Sequence, residues 1–241
     1  ADNNGEGGIL ALYALLRKMK RKWIYLLAII GASTLLADGI ITPAITVTTA
    51  IEGLESISPH LPVIPITLGI ITIIFFVQRF GTESIGKSFG VFMLIWFLLL
   101  GVTGAFSITS YPLILKAFNP YYAAMLLAKS PEWFLILGAV FLCTTGAEAL
   151  YSDLGHCGRK NITISWLFVK AMLILNYLGQ GAWVLNHIQT ASSVNPFFSI
   201  MPQNMLIFAI IMATGAAIVA SQALISGTFS ILSEAMNLHF W

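Results

Sequence analysis

The sequence predicts an all-α, polytopic membrane helix bundle of about six spans. Of its 241 residues, 58% are hydrophobic and only 9% are charged, whereas soluble domains carry about 25% charged residues. A helix that crosses about 30 Å of hydrocarbon needs roughly 20 apolar residues. The chain therefore has room for six or seven spans and no sizeable soluble domain.

Six apolar runs supply the predicted spans, and proline-containing linkers separate several of them. The runs cover approximately residues 23–51, 63–77, 89–108, 133–151, 162–184 and 204–232. The second run is the shortest. On this division, residues 1–22 form a cytoplasmic loop, 23–233 the transmembrane region and 234–241 a cytoplasmic end.

The basic residues predict the orientation. Nine of the twelve lysines and arginines lie before the first run, after the second or after the fourth. By the positive-inside rule that side is cytoplasmic, so both ends are expected inside a cell (plasma or inner) membrane. We expect membrane lipid as a partner and no nucleic acid, because the basic residues form no recognition surface.

Three ionisable residues lie within apolar runs: Asp38, Glu148 and Lys170. An ionised side chain at the bilayer centre costs about 2.5 to 3.5 kcal/mol on insertion scales, so pairing or function must offset the cost. One hypothesis is a buried ion pair between Lys170 and either acid. Alternatively, Lys170 extends to the interface or faces lipid.

A polar ribbon in the first run favours function. Thr34, Asp38, Thr42 and Thr46 recur every four residues and share one helix face. Pro43 within the ribbon cannot donate a backbone hydrogen bond, which frees one carbonyl oxygen. A carboxylate flanked by such oxygens is typical of a lining for a hard monovalent cation. The alternative is that each threonine hydroxyl bonds back to its own helix.

The fourth run is interrupted by the sequence CTTGAE at 143–148. Two threonines and a glycine before an acid are typical of a broken span whose backbone faces a binding site. Thr145 and Glu148 are three residues apart and face one way, and a desolvated Glu148 could exchange a proton. The alternative for Glu148 is a neutral acid that holds helices together.

Amides in the later runs are interpreted as packing groups. Asn176 and Gln180 are four residues apart, and Gln222 lies among small residues, where amides hydrogen-bond between helices. The chain contains neither HExxH nor GxSxG, so we expect no enzyme activity. No cofactor is expected.

Six motifs in colinear order resemble the KUP/HAK/KT potassium uptake transporters. They are ADNNGEGGILAL (1–12), DGIITPAITV (38–47), QRFGTESIGKSFG (78–90), TGAEALYSDLGH (145–156), LNYLGQGAW (175–183) and ASQALISGTFS (220–230). The resemblance implies a LeuT-like (APC superfamily) inverted-repeat fold of about twelve spans that imports potassium with protons. This chain would hold the third to eighth spans. The family's first span, with its GDxGTSPLY motif, is not in the sequence, so about half of the cation site would be present.

The resemblance also implies roles for individual residues. By motif position, Asp38, Thr42 and Thr46 match residues that line the family's cation pathway. Thr145 matches a hydroxyl from the broken sixth span, and Glu148 matches the acid tied to proton movement. Thr34 has no counterpart in this resemblance and is a candidate by helical spacing alone.

The resulting hypothesis is a proton-coupled potassium symporter of which this chain is a fragment. Its transported partners would be a potassium ion and a proton. The sequence leaves open whether the full-length protein forms a homodimer. The alternatives are a passive cation channel, a transporter of another solute on the same fold, and a structural membrane subunit.

Overall fold

A computed structural model describes residues 8–16, 19, 22–56, 58, 61–78, 83–143, 159–191 and 194–237, and all regular structure in these ranges is helical. The helices are α1 Gly8–Leu16, α2 Lys22–Glu52, α3 Val63–Gln78, α4 Glu83–Ser110, α5 Pro120–Lys129, α6 Trp133–Leu142, α7 Arg159–Asn186, α8 Pro196–Ser199 and α9 Leu206–Asn237. Short 3₁₀ segments lie at Gly53–Ser56, Pro112–Phe118 and Gln203–Met205.

The helices follow the predicted runs. Four of them, α2, α4, α7 and α9, are long and apolar enough to cross a membrane, whereas α3 and α6 are shorter apolar helices. The fourth predicted run is described only as far as Cys143. Within the segment predicted as a cytoplasmic loop, residues 8–16 form α1, whose Leu10 is only 1% exposed.

Two Asn-Pro pairs begin helices. Asn119 precedes α5 and Asn195 precedes α8, and each asparagine Oδ1 accepts a backbone N–H two residues later at 3.0 Å. The proline that follows occupies the first helical position, where its missing N–H costs nothing. The linkers that break the spans are therefore also helix start signals.

Helices α4 and α7 form one closely packed pair. A Cβ atom on Gly104 would lie 2.4 Å from the Leu175 carbonyl oxygen, and one on Gly179 would lie 2.5 Å from Gly104 Cα. The backbones can approach this closely only because both residues lack a side chain. The Ser107 hydroxyl donates to the Gly179 carbonyl at 2.8 Å across the same crossing.

Helices α2 and α9 form the second pair, and they run antiparallel. Gly39 near the middle of α2 contacts Thr228 late in α9, whereas Gly53 just after α2 contacts Phe198, which precedes α9. The core between these helices includes Val47, which is fully buried. Helix α3 packs against both members of the pair, and α9 also contacts α4.

Large apolar side chains cover much of the outer surface. Ile40, Phe106, Phe134 and Phe141 are each 74% exposed. In water such a surface would be unfavourable, but in a bilayer it faces hydrocarbon. The described helices thus have the surface of a multi-pass membrane protein.

Candidate functional site

A cavity of about 710 Å³ lies between the α2–α9 pair and the α4–α7 pair. Alanines of α9 and aromatic side chains of α4 make much of its wall. Its polar wall residues are Thr42, Thr46, Thr49, Asn176, Tyr177, Gln180 and Asn195.

The predicted ribbon of α2 reaches this cavity through two of its threonines. The Thr42 hydroxyl donates to Asp38 Oδ1 at 2.5 Å, and the Thr46 hydroxyl donates to the Thr42 carbonyl at 2.7 Å. The Thr46 hydroxyl therefore bonds to a backbone carbonyl of its own helix, as the alternative interpretation of the ribbon predicts. The Thr42 hydroxyl instead bonds to the Asp38 carboxylate. Both threonines belong to the cavity wall.

Asp38 lies behind the wall and does not line the cavity. Its Oδ1 accepts Thr42, and its Oδ2 is buried without a hydrogen-bond partner among the described residues. The adjacent Gly39 meets α9 so closely that an added Cβ atom would lie 2.0 Å from Thr228 Oγ1. Asp38 therefore lies next to the position at which α2 and α9 are in closest contact.

The structure separates Thr34 from the rest of the ribbon. Its side chain is exposed and donates to the Gly31 carbonyl at 2.9 Å. It does not belong to the cavity wall. A step of four residues drifts around a helix of 3.6 residues per turn, so Thr34 and Thr46 lie on different parts of the surface.

Two predicted site residues, Thr145 and Glu148, lie outside the described residues. The nearest described position, Cys143, is in the cavity wall, and its carbonyl accepts the Tyr177 hydroxyl at 3.1 Å. The described end of the predicted broken span thus borders the same cavity as Thr42 and Thr46.

Lys170 does not form an ion pair with Asp38, which was one of the alternatives that the sequence left open. Its Nζ lies 3.4 Å from the centroid of the Trp166 ring, and its side chain is exposed. This cation–π contact places the charge on the outer surface of α7. A pair between Lys170 and Glu148 falls outside the described residues.

Two amides that the sequence assigned to packing also line the cavity. Asn176 is 3% exposed, and its Nδ2 donates to the Leu100 carbonyl of α4 at 3.3 Å. Gln180 Nε2 donates in turn to Asn176 Oδ1 at 2.5 Å. Packing between helices is confirmed for Asn176, but the same residues form part of the wall, which the spacing of four residues alone does not reveal.

Comparison with known proteins identifies close relatives. A family model described as "K+ potassium transporter integral membrane domain" matches residues 1–241. A "Probable potassium transport system protein Kup" of Flavobacterium psychrophilum is 53% identical over 247 residues, covering 100% of this chain and 38% of the relative. A "Probable potassium transport system protein Kup 1" of Lactococcus lactis subsp. lactis is 54% identical over 250 residues, covering 99% of this chain and 37% of the relative.

A third relative is a "Probable potassium transport system protein Kup" of Latilactobacillus sakei. It is 55% identical over 254 residues, covering 99% of this chain and 37% of the relative. The chain thus spans between a third and two fifths of the length of these relatives. No solved structure gives a significant match.

Proposed function

The chain belongs to the K+ potassium transporter family, and on that premise we propose that it is part of a proton-coupled symporter that takes up potassium across a cell membrane. The supporting observation is the direction in which the hydroxyl groups of the cavity-wall residues donate their hydrogen bonds. Thr42, Thr46, Thr49 and Tyr177 each donate their proton to an acceptor within the protein. A hydroxyl has one proton and two lone pairs, so these four oxygens have only lone pairs left to offer a ligand in the cavity. Such a surface suits a cation.

In this proposal, Thr42 and Thr46 replace part of the hydration shell of a potassium ion. Asp38 supplies the compensating charge from behind Thr42, to which it is hydrogen-bonded at 2.5 Å. A buried carboxylate oxygen without a partner, as at Oδ2, is costly unless a proton or a cation approaches it. The cavity has room for an ion that keeps some of its water.

The proton-coupling part of the proposal rests on the resemblance of residues 145–156 to a motif of the KUP/HAK/KT potassium uptake transporters. Thr145 would add a hydroxyl oxygen to the ion, and Glu148 would carry the proton. The two helix pairs would move relative to each other within a LeuT-like fold, with both ends of this segment in the cytoplasm. A proton on Glu148 would bias which face of the cavity is open.

The first test is potassium uptake by the full-length protein in proteoliposomes. Asp38→Asn preserves the size of the side chain and its bond from Thr42 but removes the charge. We expect uptake at low potassium to fall at least tenfold, because the loss of one charge-assisted contact has an effect of about this size. Glu132→Gln is the matched control, because Glu132 is exposed before α6. Full uptake by Asp38→Asn would indicate a structural role for Asp38.

The second test addresses the proton. Glu148→Gln is expected to leave potassium binding intact and to remove the response of uptake to a pH gradient. An unchanged response in this variant would contradict the assignment. If wild-type flux persists after the proton gradient is collapsed and greatly exceeds the rate of a conformational cycle, the protein is a passive channel instead. Parallel assays with sodium and rubidium define the selectivity.

A further inference from the structure

We propose that Gln180 Oε1 is an additional potassium ligand, contributed by α7 and oriented by Asn176. This inference rests on the proposed transport function and adds a second wall to the cation site. In it, Gln180 contacts the ion, whereas Asn176 is a positioning residue.

The direction of the hydrogen-bond chain fixes which atom Gln180 can offer. The chain begins at the Leu100 carbonyl oxygen, which can only accept, so Asn176 must present its NH₂ group to α4. Asn176 Oδ1 then faces the other way and can only accept. Gln180 must therefore use its NH₂ group toward Asn176, as the 2.5 Å contact shows. The carbonyl oxygen Oε1 is left as the atom that can accept or coordinate.

Burial holds this chain in place. Asn176 is 3% exposed and lies at the tight crossing of α4 and α7, where Leu175 and Gly104 are in backbone contact. Rotating its amide would set two acceptors against each other at Leu100 and two donors against each other at Gln180. Inverting a buried pair of bonds in this way would leave polar groups unsatisfied, which is costly.

The position of Gln180 complements that of the threonines. Thr42 and Thr46 lie on α2, which packs mainly against α9, whereas Gln180 lies on α7, which packs mainly against α4. All three line the cavity between the two helix pairs. Amide carbonyl oxygens replace ion hydration in the same way as backbone carbonyls. An ion held by both walls would link the two helix pairs, and its release would free them.

The test measures potassium binding to the full-length protein in detergent by isothermal titration calorimetry, together with uptake kinetics in proteoliposomes. Gln180→Met keeps the length of the side chain without its oxygen and is expected to weaken potassium affinity about 10- to 100-fold. Asn176→Leu keeps Gln180 but removes its orientation, so the half-saturation constant should rise several-fold with little change in maximal rate. Gln222→Leu is the matched control, because Gln222 is 5% exposed but lies outside the cavity wall.

The outcomes separate this inference from the transport proposal. If Asp38→Asn abolishes uptake while Gln180→Met binds potassium as the wild type does, Gln180 is not a ligand and the transport proposal stands. If Gln222→Leu weakens affinity as much as Gln180→Met, the effect is general packing and the inference is overturned. If Gln180→Met cannot be purified folded, the Asn176→Leu kinetics decide: an unchanged half-saturation constant overturns the inference. A wild-type protein that takes up no potassium refutes the transport proposal itself.

Discussion

Replacing Gly104 by alanine should force α4 and α7 apart. The new Cβ atom would lie 2.4 Å from the Leu175 carbonyl oxygen and 2.6 Å from Asn176 Cα, both backbone atoms that cannot rotate away. Restoring an ordinary contact requires the helices to separate by about 1 Å. Overpacking of this kind costs about 1 to 3 kcal/mol.

The same separation would break the polar contact across the crossing. The bond from Ser107 to the Gly179 carbonyl is 2.8 Å long, and lengthening it by about 1 Å removes it as a hydrogen bond. Its loss adds about 1 kcal/mol. We therefore expect Gly104→Ala to lower the free energy of unfolding by about 2 to 4 kcal/mol.

The assay is denaturant unfolding of the full-length protein in mixed micelles, with tryptophan fluorescence as the signal. Gly90→Ala is the matched control, since Gly90 lies on the same helix and a Cβ atom there would meet nothing within 4 Å. Alanine favours a helix over glycine by about 1 kcal/mol, so the control should be neutral or stabilising. Equal stability of the two variants would refute the close crossing of α4 and α7.

Three further predictions concern α2 and α7. Gly39→Ala should destabilise the protein by about 1 to 3 kcal/mol, because the new Cβ atom would lie 2.0 Å from Thr228 Oγ1; a second change, Thr228→Ala, should recover most of the loss in an unfolding double-mutant cycle. Lys170→Gln should change potassium uptake by less than about twofold, because this side chain is on the exposed surface. Thr42→Val should raise the half-saturation constant for uptake about tenfold, whereas Thr48→Val, outside the cavity wall, should leave it unchanged.

The positions of the helices were predictable from composition alone. Each of the six apolar runs contains a described helix, because a segment in hydrocarbon must satisfy its own backbone and only a helix does so locally. Helix α1 was not predicted, since its nine residues are too few to span and follow a glycine-rich polar stretch. Its stability comes from packing against α2 and α9, which a local pattern does not report.

The candidate site was predictable along one helix but not across helices. The spacing of Asp38, Thr42 and Thr46 placed them on one face, and the structure links them by hydrogen bonds. The position of Gln180 in the cavity wall was not visible from the sequence, because an amide that packs and an amide that lines a cavity have the same spacing. Which of the two applies depends on how the α4–α7 pair is placed against α2 and α9.

The placement of Asp38 behind Thr42 has an energetic consequence for an ion at the cavity wall. With an effective dielectric constant near 20, a carboxylate in direct contact with a potassium ion at about 2.8 Å would attract it by about 6 kcal/mol. With the Thr42 hydroxyl in line between them, the separation would be about 5.3 Å and the attraction would fall to about 3 kcal/mol. The difference corresponds to roughly a hundredfold in affinity. A transporter must release its ion as well as bind it, so a carboxylate that acts through a hydroxyl is better suited to transport than one that contacts the ion directly.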